Sequence, residues 1–116
     1  MRFLVLLTEK DHFDNWDDAD AALRRRTIDD FNAFGDAVRD HGTLIVGDAL
    51  AQPEEARTLS AGEARSVTRG PFAETVEQIG GFYLVDLPDL DTAVEIAGLL
   101  PREYTVEVRP TLDVEV

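Results

Sequence analysis

The sequence predicts an α+β domain: an antiparallel sheet with two helices on one face and no helix on the other. Three observations predict it. Apolar periodicity switches between strand and helix spacing in the order strand, helix, strand, hairpin, strand, helix, strand. Two of those strands are apolar on both faces. The 116 residues suffice for one core, yet two helices can cover only one side of a sheet of four or more strands.

Arg2 to Thr8 reads as the first strand. Phe3, Val5 and Leu7 alternate with Leu4 and Leu6, and continuous apolarity means that both faces are covered. The acidic loop EKDHFDNWDD follows. Asn15 is a candidate cap, with Asp17, Asp18 and Asp20 at the positive end of a helix dipole, and the helix is expected to run to about His41. Leu23, Ile28, Phe31, Phe34 or Gly35, and Val38 fall near one face; Arg25–Asp29 and Arg26–Asp30 sit at i,i+4 on another. His41 caps the end, and Gly42 supplies a left-handed stop.

TLIVGDAL is the second strand, broken by Gln52-Pro53. Thr58 to Ser60 and Ala64 to Arg69 form a hairpin around Ala61-Gly62-Glu63. In RGPFAETVEQIGG, Pro71 fixes its own φ and pushes Gly70 to extended or glycine-only geometry, so the chain turns sharply. Phe72 is expected to pack beneath that turn. Glu74 or Thr75 starts a short helical turn that Gly80-Gly81 ends. Gly81 to Leu87 is the second two-faced strand. Asp89 or Asp91 caps a helix with Leu90, Ala93, Val94, Ala97 and Leu100 inward, halted by Pro101. Tyr104 to Arg109 alternates with Tyr104, Val106 and Val108 inward, and TLDVEV offers a final edge or swapped strand. The whole chain, 1–116, is one domain of ferredoxin-like type. Its uncovered apolar face calls for a second copy, in a two-fold homodimer.

Composition narrows the functions. With 24 acidic against 11 basic residues the net charge is −13, so nucleic acid is not an expected partner. The run Arg24-Arg25-Arg26 is flanked by Asp18, Asp20, Asp29 and Asp30 and reads as a charge-paired helix face. No apolar stretch approaches the roughly 20 residues of a membrane span, and MRFLVLLTEKDH lacks the pattern of a signal peptide. There are no cysteines, which fits a cytoplasmic location and removes thiolate metal sites.

The stretch GPFAETVEQIGGFYLVDL closely resembles the signature of the DGPF proteins, a branch of the YCII-related family. In that signature Asp-Gly-Pro-Phe is followed by Ala-Glu-Thr-Lys-Glu and a Gly-Gly-aromatic strand. FLVLLT at the start, Trp16, GDAL at 47–50 and VEVRP at 106–110 agree in the same order. The resemblance implies a dimeric α+β barrel. The family's aspartate is Arg69 here and its lysine is Val76, so the motif carries no proton acceptor at its first position. The family's His–Asp pair has no obvious histidine to match it in this sequence.

Among candidate site residues, Asp48 follows Gly47 at a strand end. Facing the pocket between sheet and helices it would act as proton acceptor; a turn-forming aspartate is the plainer account. His12, near Asp11, Asp14 and Trp16, is either an acid/base group or an exposed loop histidine. Arg69 and Glu74 flank the Gly-Pro-Phe turn and either hold a small polar organic ligand or pair with each other. Phe72, Tyr83 and Trp16 are aromatic candidates for a pocket wall, and Arg109 for a carboxylate contact. No metal-ligand spacing, phosphate loop, dinucleotide fingerprint or nucleophile elbow occurs, so no cofactor is expected.

Three readings follow, one of them a stable dimer whose pocket is vestigial. The fold implied by the resemblance supports cofactor-free isomerase- or lyase-like chemistry in the sheet–helix cleft, with Asp48 as base and His12, Arg69 or Glu74 orienting the substrate. The resemblance also implies a regulatory, ligand-binding module, since relatives of this branch are linked with extracytoplasmic-function sigma factors.

Overall fold

The computed structural model describes residues 1–72 and 77–114. The elements are β1 (Arg2–Lys10), α1 (His12–Asp18), α2 (Ala21–His41), β2 (Thr43–Ala49), β3 (Arg57–Leu59), β4 (Val67–Arg69), β5 (Glu77–Asp86), α3 (Leu90–Ala97) and β6 (Thr105–Pro110). Strands β2-β5-β1-β6 form one antiparallel sheet in that order, with β5 and β1 central. This is the ferredoxin-like arrangement that the element order predicts. β3 and β4 form a separate two-stranded hairpin.

One helix was expected between β1 and β2, and there are two. Ala19 is extended and its N–H donates back to Trp16 O, ending α1. Asp20 then caps α2 by accepting from Leu23 N at 2.8 Å. Asn15 is no cap; inside α1 its Nδ2 donates to Lys10 O. The inner face of α2 is Thr27, Phe34, Gly35 and Val38, while Ile28 is exposed. Arg26 reaches across to Glu103 at 2.7 Å instead of forming the expected pair with Asp30. His41 Nδ1 lies 2.9 Å from Ala37 O, closing the last turn.

Phe3, Val5 and Leu7 of β1 meet Phe34 and Val38 of α2, Val85 of β5, and Ala93, Ile96, Ala97 and Leu100 around α3 in one core. Each large apolar side chain there stabilises the fold by roughly 1.5–3 kcal/mol through burial. α3 is capped by Asp89, whose carboxylate accepts from Thr92 N at 2.8 Å, holding that acid below its ordinary pKa. Leu90 and Val94 were expected inside and are exposed; Ile96 takes the inner position.

Three further expectations change. Gly42 is extended, not left-handed, and is required because a Cβ there would run into Asp86 O of the neighbouring strand. Phe72 does not anchor its turn: it is 94% exposed. Gly80 does not end a helical turn ahead of β5 but lies within the strand, which starts at Glu77 and not at Gly81. Gly62 and Gly70 do adopt positive φ, as a hairpin loop and a pre-proline turn require. Residues 111–114 form no strand. Among the described residues no helix is long and apolar enough to cross a membrane.

Candidate functional site

The site begins where β1 stops. Asp11 takes a left-handed conformation (φ 54°, ψ 39°) and folds the chain back into α1. The reversal carries His12 over the end of its own strand, and its Nδ1 lies 3.0 Å from Glu9 Oε1. Both side chains are largely withdrawn from water, at 13% and 14% exposure. The imidazole packs edge-on against Phe13 (4.8 Å between centroids) and near Tyr104 (5.5 Å). His12 is therefore not the loop histidine of the sequence reading; it opens a helix and has a carboxylate partner.

The double glycine explains how the ring fits. Leu7 pairs with Gly81 and Thr8 with Ile79, so Gly80 is an extra residue, a bulge in β5. A Cβ on Gly80 would come 2.5 Å from His12 Nε2. On Gly81 it would come 3.1 Å from Asp48 O of β2. One glycine makes room for the imidazole and the next lets two strands close.

α2 supplies Phe31, whose ring lies 6.5 Å from Tyr83 and 5.9 Å from Tyr104. Gly47 lets the Tyr83 ring cross β2, since a Cβ there would strike it. Phe13 and Trp16 project from α1. Arg24 holds that helix: its guanidinium sits 5.2 Å from the centre of the Trp16 ring and its Nη2 donates to Trp16 O at 2.9 Å. His12, Phe13, Trp16, Phe31, Tyr83 and Tyr104 line a half-open cavity of about 470 Å³ between sheet and helices. Burial pushes the Tyr104 phenol up to about 12, with Glu9, Glu103 and Tyr83 adding to it. Burial also raises Tyr83, against a smaller opposing pull from Arg39. Both rings are neutral hydroxyl donors across the physiological range.

The YCII-related domain matches residues 1–111. The chain belongs to the YCII-related family. An uncharacterized protein of Rhizobium meliloti (strain 1021) is 41% identical over 91 residues, which cover 73% of this chain and 73% of the relative. Neither match names a substrate or a reaction.

Within this YCII-related chain, the structure brings together His12, Trp16 and Tyr83, all lining the cavity. Asp48 borders it too, but not as expected. Asp48 pairs with Phe82, and Gly47 with Tyr83. Because Tyr83 packs on Phe31 and Phe34 of α2, strand alternation puts the Asp48 side chain on the helix-free face, where it is exposed. Arg69 and Phe72 lie apart, beside a second concavity under the β3–β4 hairpin, and Arg69 Nε donates to Glu54 O at 3.3 Å. Glu74 lies outside the described residues. Arg109 is paired with Glu107 at 2.8 Å and is not a free carboxylate clamp. Among the described residues no cluster of three metal-ligating side chains occurs.

Sequence reading missed Glu9, Gly80, Phe31 and Tyr104. The signal for Glu9 was its three-residue spacing from His12, which becomes a contact only once Asp11 turns the chain.

Proposed function

We propose that the cavity is a proton-transfer site. In it His12, oriented by Glu9, takes a proton from a compact organic molecule and returns it to another position of that molecule (isomerase-like) or to a group that departs as its bond breaks and a double bond forms (lyase-like). The Glu9–His12 pair at the cavity wall carries this reading. A carboxylate only accepts, so Nδ1 bears the hydrogen and Nε2 keeps the lone pair that can receive a proton. Tyr104, held protonated beside it, is suited to donate a hydrogen bond to the charge that develops on the substrate. The base assigned by sequence to Asp48 is thus reassigned to His12.

A thermal-shift screen against a metabolite library, followed by turnover and solvent-deuterium exchange on the hits, tests it. Exchange or turnover that His12→Gln abolishes is the expected result. Hits that bind but neither exchange nor turn over would overturn it in favour of a ligand-binding module.

We further propose that a second copy covers the helix-free face. Leu4 pairs with Leu84, Leu6 with Phe82, and Val46 with Leu84, forming an apolar strip across three strands. Their partial exposure fits this. The radius of gyration is 16.0 Å, against about 13 Å for a compact chain of this length. Sedimentation at micromolar concentration is expected to give a dimer that Leu84→Lys dissociates. A monomeric parent protein would refute the pairing.

A further inference from the structure

We infer that the cavity selects uncharged or positively charged ring compounds and rejects carboxylates, sulfates and phosphates. The inference rests on the reading of this cavity as the ligand site and names the class of molecule it takes.

The walls supply rings in several orientations. Phe31 is inclined 43° to Tyr83 and 51° to Tyr104, and Phe13 and Trp16 close the opposite side from α1. A planar guest therefore meets both ring faces and ring edges, the geometry aromatic contacts favour. A volume of about 470 Å³ suits a mono- or bicyclic molecule.

Charge decides the rest. Among the described residues that line the cavity there is no lysine or arginine. The sequence at 73–76 and 115–116 adds none. Arg24, beside α1, is committed to Trp16 and the end of α1. The carboxylates are Asp17 and Asp48 on the lining, the latter with its side chain toward the helix-free face, and Glu9 behind His12. An anionic guest would leave water for a ring-lined space with no lysine or arginine on its lining, where the Arg39 charge that reaches Tyr83 is only the lesser influence, and that is costly. It would also approach a chain of net charge −13. A cation meets the opposite situation, with ring faces and Asp17 to receive it.

The test uses three probes of one shape: indan-2-ol, 2-aminoindane and indane-2-carboxylate. Binding is read by quenching of Trp16, the chain's single tryptophan, which stands in the wall. The alcohol and the amine are expected to bind at least about tenfold more tightly than the carboxylate. Leu50→Arg, at an exposed position on the lining, is expected to strengthen the carboxylate alone. The probes are read by binding and not by turnover, so a failure of proton transfer stays distinguishable from a failure here. Tight binding of the carboxylate to the parent protein, no binding of any probe, or no response to Leu50→Arg would each overturn the inference.

Discussion

His12 Nδ1 lies 3.0 Å from Glu9 Oε1 across the turn that joins the first strand to the first helix. A glutamine at position 9 keeps the shape but offers an amide that can also donate. The imidazole then loses the partner that selects its tautomer. Glu9→Gln is expected to lower any His12-dependent exchange rate by roughly 10²–10⁴-fold while leaving thermal stability nearly unchanged. Nitrogen-15 spectra of the ring would report the tautomer directly. An unaltered rate would remove Glu9 from the chemistry.

Gly80→Ala pushes a methyl group into the His12 ring, 2.5 Å from Nε2 before any relaxation. Such overpacking costs about 1–3 kcal/mol, and the ring's nitrogen signals should shift. Gly62→Ala is the control. It meets open space and is strained only through its φ of +104°, so it should leave those signals alone. Identical histidine spectra for the parent and Gly80→Ala would contradict the contact.

Alkaline titration isolates Tyr104. Its phenol moves from an ordinary 10.0 to about 12 in the folded chain. The folded state therefore holds its proton more firmly than the unfolded one. This contribution to stability is complete below pH 10 and is lost as pH rises toward 12. Ultraviolet titration should find both tyrosines ionising late, since Tyr83 is raised as well. Tyr104→Phe should flatten the alkaline fall in stability; an ordinary phenol titration would contradict the burial.

Two phenylalanines that the sequence places in packed positions have opposite surroundings. Phe34 is 1% exposed in the core, and Phe34→Ala should cost about 3–5 kcal/mol in urea unfolding. Phe72, in the signature motif, is 94% exposed, and its replacement by alanine should stay within about 0.5 kcal/mol. A large loss at Phe72 would place it in an interface instead.

The fold was legible because its evidence is periodic. β1 and β5 announce themselves by apolarity on both faces, and the helices by spacing, so element order and sheet membership follow. The errors lie where a single turn decides. Nothing in ADAA marks the break between α1 and α2 except Asp20, whose capping role competes with the acids before it. Asp48 was read one face wrong because orientation depends on register, and β2 slips by a residue at Ile45 before reaching Asp48. The site was harder still. His12 and Trp16 were visible as residue types, but Glu9, Gly80 and Tyr104 come together only through a left-handed aspartate and a bulge.

The first helix carries His12, Phe13 and Trp16 into the cavity yet contains no fully buried residue of its own. It is fastened by the clasp of Arg24 at one end and, at the other, by the Asp11 reversal, the His12–Glu9 pair and the Asn15 bond to Lys10 O. Of all the walls it is the one whose detachment disturbs the core least. A guest that pries it open also carries the imidazole away. Under the proposed proton-transfer reading, loosening the Arg24 clasp is expected to slow exchange and hasten ligand release together.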